Sequence, residues 1–405
     1  MGHTIKAIMR ADRARRSQPL SFRAPAFGHA RNLQSRGALL LTLFIPLLSV
    51  FVAAQTSKLK VIADQDSAGP QGTNFASLLM LLRSPKIDLL GITTVSGDQW
   101  VEPATVFALW ATEITKRTDV SVIKGAEMPL LNSPRQQELR EQLYGSYIGW
   151  HGSFNPDAPK PSFTWPPPGG YPKVKPRPGR AADFIADTIR AHPHEVVLYC
   201  AGPLTNIALA ISIDPAIVPL TKAIYIMGGS SRGGPELNWW WDPEAASMVL
   251  RAPWPQIVVS PYEAGEQVVS NEALMRRIVE KHGALSEYVN DVYLKTKPPA
   301  GTTLWSMMWD ELTVASIFDP AVIAKSETMY LDVDITHGPK YGHTVVWKKP
   351  ADVPQFMMPY SGPDGPDREK WLSHFTPPSH LHSASVQIEV DVKRFEDDFV
   401  EMMSQ

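Results

Sequence analysis

From Lys58 onward the chain repeats one order: a short apolar run, a loop rich in Gly, Pro or acids, then a segment with apolar residues at helical spacing. Such alternation predicts βαβ units and a mostly parallel sheet with helices on both faces. The first strand reads as 59–63 and runs into Asp64-Gln65-Asp66. A loop of Ser67 to Gly72 follows, then an apolar helix over 75–82 that Ser84-Pro85 stops. Residues 87–95 are almost continuously apolar, as a strand covered on both sides should be. Val106, Leu109, Trp110 and Ile114 share one side of a helix over 102–116. Strands at 120–123, 196–199 and 223–227 alternate with helices at 181–191 and 205–213. Three β runs (330–335, 343–347, 386–392) then precede an amphipathic helix at 393–403. The expected architecture is one α/β domain over 57–405, its mostly parallel sheet flanked by helices.

The first 54 residues are of another kind. Arg10, Arg13, Arg15, Arg16, Arg23, Arg31 and Arg36 precede an uncharged apolar run from Ala38 to Ala54. That run ends in Val52-Ala53-Ala54 before Gln55. A basic leader, an apolar stretch and small residues at its end have the layout of a secretory signal peptide, so a secreted, extracellular protein is expected. The run approaches the ~20 residues that span a bilayer, so an uncleaved anchor is the alternative. Nothing after residue 56 is long and apolar enough to span, so no membrane contact is expected once the signal is removed. The net charge of -2 provides no field to attract nucleic acid. Cys200 is the only cysteine, which excludes an internal disulfide, and a chain of 405 residues has core enough without one. A dense Pro/Gly stretch over 155–180, centred on Trp165-Pro166-Pro167-Pro168-Gly169-Gly170, reads as a surface excursion or an active-site flap.

Chemistry concentrates in two places. Asp64 and Asp66 stand where the first strand ends, and ligands of open parallel sheets bind at strand carboxyl ends. Two acids before a Gly-bearing loop suit a hard cation, although acids there can also simply cap a turn. Farther on, Met227-Gly228-Gly229 ends a strand and leads to Glu236-Leu237-Asn238-Trp239-Trp240-Trp241-Asp242-Pro243-Glu244. Asp242-Pro243-Glu244 is a helix start. Glu236 and Asn238 have no structural task visible in the sequence, and a carboxylate with an amide suits sugar hydroxyls. Trp239 to Trp241 offer stacking surfaces, at least one of them core. His192-x-His194 and His380-x-His382 have metal-like spacing but lie in Pro-flanked loops without acids. Thr205 and Asn206 read as cap and packing groups, and Cys200 as core. No serine-nucleophile motif, dinucleotide fingerprint or P-loop is present.

From about Lys58 to the C-terminus the chain resembles the inosine-uridine preferring nucleoside hydrolases. The resemblance rests on Val61-Ile62-Ala63-Asp64-Gln65-Asp66, Leu90-Gly91-Ile92-Thr93-Thr94-Val95-Ser96-Gly97-Asp98 and His151-Gly152. It extends through Ala201-Gly202-Pro203-Leu204-Thr205-Asn206, the stretch from Met227 to Ala246, Trp309-Asp310-Glu311-Leu312, and Val390-Asp391-Val392-Lys393-Arg394-Phe395. The resemblance implies a doubly wound α/β domain and hydrolysis of a ribonucleoside to free base and ribose by a calcium-activated water. Asp66 would be the general base and a Ca²⁺ ligand, with Asn74, the Ala201 carbonyl and Asp310 as the other ligands. Asp64, Asp98, His151, Met227, Glu236, Asn238 and Trp309 would line the substrate side. The partner is a small nucleoside; a homo-oligomer is left open.

The chain departs from the family pattern at three positions. A longer loop, Ser67 to Gly72, replaces the usual Asp-Pro-Gly start, and Thr73-Asn74 stand where that pattern has two acids. Trp309 occupies a position commonly held by His, a candidate acid for the leaving base, and an indole cannot donate a useful proton. Either His151 supplies that proton, or the substrates carry bases that leave readily. A ribose- or nucleoside-binding protein without turnover is the rival reading; survival of Asp66, Asp310, Glu236 and Asn238 favours the hydrolase.

Overall fold

Alternation along β1 (Leu59–Gln65) decides the layering of the molecule. Val61 and Ala63 enter one apolar cluster and Ile62 enters another on the opposite face of the sheet. The same parity holds in β4 (Val196–Ala201): Val197, Tyr199 and Ala201 face the first cluster, Val196, Leu198 and Cys200 the second. Helices α1 (Thr73–Arg83) and α2 (Val101–Ile114), with the helix Trp309–Phe318 and the C-terminal helix Val392–Ser404, cover the first face. The second face is covered by α4 (Ala181–Ala191), α5 (Thr205–Ile213) and the helix Pro243–Leu250. The computed structural model describes residues 58–145, 148–158, 160–349 and 381–405, with Asp367 between the last two. The expected leader at 1–54, the 57 end of the domain boundary and His380 lie outside the described residues.

The sheet has ten strands in the order β3-β2-β1-β4-β5-β7-β12-β10-β11-β6. Here β2 is Ile87–Thr94, β3 Val122–Lys124, β5 Ala223–Met227, β6 Gly234–Pro235, β7 Ile257–Ser260, β10 Ile323–Val333, β11 His343–Trp347 and β12 Ser383–Val390. A two-stranded antiparallel ribbon of β8 (Val269–Asn271) and β9 (Leu304–Met307) stands apart. From β3 to β12 all pairings are parallel; β10, β11 and β6 extend the sheet antiparallel. The chain winds outward through β2 and β3, then returns to place β4 on the other side of β1. The direction of winding therefore reverses between β1 and β4, and a crevice opens beyond their carboxyl ends. Asp66 and Ala201 stand at that reversal, Gln65 pairing with Ala201 in the ladder.

Several elements lack the periodicity that would announce them. Helix α3 (Pro134–Tyr144) is polar almost all round and is held by its start: the Ser133 hydroxyl accepts from the Gln136 N–H, with Pro134 in the first turn. The strand Ile257–Ser260 is only four residues long, and the helix Trp309–Phe318 is buried on nearly every side, so it shows no apolar stripe. The Pro-rich stretch is tied down as a surface excursion. Trp165 packs on Phe107 of α2, the Lys173 and Val174 N–H groups donate to Glu113, and Arg177 N–H donates to the Val122 carbonyl at the start of β3. Those last anchors lie at the end of the strands away from the crevice. Among the described residues no helix is long and apolar enough to cross a membrane.

Asp242 joins this frame together as a helix cap. Its carboxylate accepts from Ala245 N–H (3.2 Å), Leu130 N–H (3.0 Å) and the Thr205 hydroxyl (2.6 Å). Burial nevertheless raises its pKa from 3.8 to about 6, outweighing those hydrogen bonds. The folded value is the higher one, so the stability it contributes is present below pH ~4 and lost as pH rises through about 6. Urea unfolding at pH 4 and pH 7 should therefore show Asp242→Asn gaining on wild type by on the order of 3 kcal/mol across that interval. A difference that does not change with pH would exclude a buried ionisation here.

Candidate active site

The end of the strand separates the two acids, since parity alone would put residues 64 and 66 on one face. Asp64 follows Ile62 onto the α5 face, where its Oδ1 accepts from the Thr93 hydroxyl (2.5 Å) and the Asn206 amide (2.7 Å). It is almost fully buried, and burial lifts its pKa to about 6 against those two bonds. Asn206 also donates to the Thr94 carbonyl and accepts from Ala126 N–H. Asp64 is thus a bracket between β2 and α5 rather than a lining of the crevice, which corrects its expected placement beside the substrate. Asn206 and Thr205 have the cap and packing roles expected of them, and Cys200 is buried core.

Asp66, one residue past the strand, turns into the crevice. Its Oδ1 accepts from the Asn74 amide at 2.5 Å and its Oδ2 from Asp98 N–H at 2.7 Å. Backbone is packed tightly around it: a side chain at Gly97 would bring a Cβ within 2.2 Å of Oδ2. Asp310 opens the helix Trp309–Phe318 and meets the end of β1 through Gln65, whose Nε2 donates to Oδ2 at 2.9 Å. Burial, reinforced by the charges of Asp98 and Asp310, raises the pKa of Asp66 well above the carboxylate range. Asp310 is raised by burial and by Glu311, with Asp98 and Glu236 adding to it; Asp98 itself is raised by burial.

A cation is the natural complement of such a group. The donors are hard oxygens, and no Lys, Arg or His stands among the groups that shift these three acids. Among the described residues, though, no three His, Cys, Asp or Glu side chains are gathered as a ligand set. Any ion held by Asp66 and Asp310 must therefore complete its shell with neutral oxygens. The Asn74 amide, at the first turn of α1, and the backbone at Ala201 are suitably placed along the chain. On that chemistry the residues fit a hard divalent ion.

The second cluster faces the same crevice with more structure than its sequence suggests. Glu236 caps the helix Leu237–Trp241: Oε1 accepts from Asn238 N–H (3.0 Å), and Oε2 from Gly229 N–H (2.8 Å) and Trp239 N–H (3.2 Å). Burial still raises its pKa to about 7. The structural task that the sequence conceals is this cap. Asn238 donates to the Met227 carbonyl and sulfur, both at 3.3 Å, which leaves its amide oxygen open. The three tryptophans are all buried, so none is a free stacking surface. Trp239 covers Gly228 and Gly229, Trp240 packs near His151, and the Trp241 indole donates to Ser153.

His151 lies at the rim. Ser153 N–H donates to the Gly97 carbonyl, tethering this segment to Asp98, and His151 Nε2 is 2.6 Å from a carboxylate oxygen of Glu141. The neighbouring Trp150 is exposed, yet its indole donates to Asp98 Oδ1 at 2.7 Å. Trp309 stacks on Tyr262 at 5.5 Å and gives its indole N–H to the Tyr262 carbonyl (3.1 Å). Sequence reasoning missed Gln65, Glu141, Trp150, Tyr262 and Glu311. Only Gln65 carried a signal, since an odd-numbered polar residue in an apolar strand must face α1.

The match to the family model for the inosine-uridine preferring nucleoside hydrolases spans residues 61–397. A pyrimidine-specific ribonucleoside hydrolase, RihB, of Escherichia coli is 30% identical over 309 residues, covering 73% of this chain and 91% of the relative. An uncharacterised protein of Schizosaccharomyces pombe is 28% identical over 337 residues, 78% of this chain and 81% of its own. Among solved structures, a plant nucleoside hydrolase superposes with a TM-score of 0.64 at 20% identity, covering 86% of this chain and 99% of that one. The purine-preferring ribonucleoside hydrolase of Gardnerella vaginalis gives 0.60 at 22%, covering 85% and 98%. The chain belongs to the inosine-uridine preferring nucleoside hydrolase family. By class it is an N-glycosyl hydrolase acting on a ribonucleoside.

The capping role of Glu236 changes what its substitution should do. Glu236→Gln must turn an NH₂ toward at least one of three backbone donors, so a loss of ~1–3 kcal/mol in unfolding free energy is expected beside any loss of sugar binding. A variant as stable as wild type in urea would show that the cap contributes nothing.

Proposed function

We propose that this chain hydrolyses the N-glycosidic bond of ribonucleosides with Asp66 as general base, beside a Ca²⁺ held by Asp66, Asn74, the Ala201 carbonyl and Asp310. The observation that carries this is the joining of Asp66 to the Asp98 N–H and, through Gln65, to Asp310 at the reversal of the sheet, with no Lys, Arg or His among the groups that shift these acids. Bound there, Ca²⁺ would supply a Lewis acid that acidifies water and ligates sugar hydroxyls. Asp66 takes the proton of the attacking water, an oxygen–carbon bond forms at C1′, and the C1′–nitrogen bond breaks with its electron pair leaving on the base. Glu236 Oε1 accepts one amide only, so it has a lone pair for a ribose hydroxyl, and the open oxygen of Asn238 accepts another. Negative charge from Asp98 and Asp310 favours the cationic sugar of the transition state.

Protonation of the leaving base is where this chain differs. The Trp309 N–H is engaged by Tyr262, so His151, paired with Glu141, is the proton donor or the base leaves without one. The curated relative carries a pyrimidine-specific name and a fold neighbour a purine-preferring one, so the base preference follows from neither. Export is proposed from the leader alone; sequencing the N-terminus of protein recovered from the medium should begin at Gln55.

A release assay on a nucleoside panel tests the chemistry. Chelation and Asp66→Asn should each abolish turnover, Asp310→Ala should lower bound calcium, and loss of the base is worth ~10²–10⁴-fold. Calcium-free protein that stays active after chelation would exclude this mechanism, and ribose binding without any release would favour a binding protein.

Rates should also depend steeply on leaving-group basicity, and His151→Ala should lower the rate most for the nucleosides whose bases leave least readily. A flat series across inosine and uridine would point to an acid elsewhere.

A further inference from the structure

We infer that Gln65 and Thr73 are positioning residues of the hydrolytic site, a neutral clamp that aims Asp310 from two sides. Gln65 is fully buried in the last register position of β1. Its Oε1 accepts from Asp66 N–H (2.8 Å), and its Nε2 donates to Asp310 Oδ2 (2.9 Å) and to the Ser77 hydroxyl (3.1 Å). The orientation of this amide is forced: the Asp66 backbone N–H can only donate, so Oε1 must face it and Nε2 is left to face Asp310. One side chain therefore ties the backbone of the general base to the carboxylate of its partner acid.

Thr73 completes the clamp from the first residue of α1. Its hydroxyl donates to Glu311 Oε2 (2.6 Å), which directs its lone pairs to accept Asp310 N–H (2.8 Å). Thr has one proton to give, so Glu311 decides which way the hydroxyl points. Asp310 is thus gripped by its carboxylate through β1 and by its amide through α1. These are the two elements that also carry Asp66 and Asn74. The departure at 73 places neutral hydrogen bonds where a further acid would add charge to an already crowded site.

This rests on Asp310 being a working carboxylate of the hydrolase. Gln65→Met and Thr73→Val keep volume and remove the bonds; Thr73→Ser keeps the hydroxyl. A carboxylate displaced by a fraction of an ångström should cost kcat roughly tenfold to a hundredfold while KM for the best nucleoside of the panel changes less than about threefold. Thr73→Ser should recover most of kcat, and Thr73→Val should weaken calcium affinity by about tenfold in titration calorimetry while Thr73→Ser does not. Unfolding midpoints are measured alongside to separate folding from aim. Wild-type kcat in both Gln65→Met and Thr73→Val, or equal losses in Thr73→Ser and Thr73→Val, would overturn the clamp. If Asp310→Ala itself retains full turnover, the failure lies with the site reading instead.

Discussion

Asp66 and Asp310 are buried at one end of the sheet, linked to each other through Gln65 and to Asp98 through the Asp98 N–H, and the residues around the crevice answer to that crowding of like charge. An isolated buried carboxylate costs several kcal/mol, and neighbours of the same sign add to it. Here the cost is met by donors that carry no charge: the amides of Asn74 and Gln65, the backbone N–H of Asp98, and the indole of Trp150. Those donors come from β1, α1, the loop after β2 and the segment before Ser153. Elements far apart in sequence are therefore held together by the need to hydrate the same acids from within.

The same constraint explains why the replacements at 73 and 74 leave an ordered site. Thr73 and Asn74 remove two potential charges, but both remain hydrogen-bonded into the acid cluster, Thr73 through Glu311 and Asp310, Asn74 through Asp66. A site in decay would be expected to show apolar fillers or orphaned polar atoms at these positions. Neither Thr73 nor Asn74 is among the described residues with an orphaned buried polar atom, whereas Asp64, on the other face of the sheet, is. At the rim, exposed Trp150 and the stacked Tyr262–Trp309 pair bring aromatic surface to the opening, whereas Trp239, Trp240 and Trp241 have withdrawn into the wall.

Much of this was already written in the local pattern. Apolar runs of strand length between helical periods set a parallel sheet, and strand ends in such a sheet are where acids become functional. That made Asp66 and the stretch from Met227 to Asn238 legible in the pattern itself, whereas Asp98 entered only through the family resemblance. Helix starts were legible too, because a cap is a short-range interaction: Asp242 behaves as its Pro and Glu neighbours suggest. Glu236 shows where local reading stops. Its three amide partners include Gly229, seven residues back, and the loop closing that distance has no pattern of its own.

Sequence by itself determined the layers, the parallel sheet and the end of that sheet at which chemistry can occur, because each follows from periodicity within a few residues. Tertiary structure alone decided which acid serves which face. Asp64 and Asp66 are two residues apart, yet one is locked by Asn206 of α5 while the other meets Asp98 and Asp310. It also decided that Gln65 joins them, since its partners lie 1 to 245 residues away. Strand parity is local, but the identity of what waits on each face is set only when distant helices pack against it.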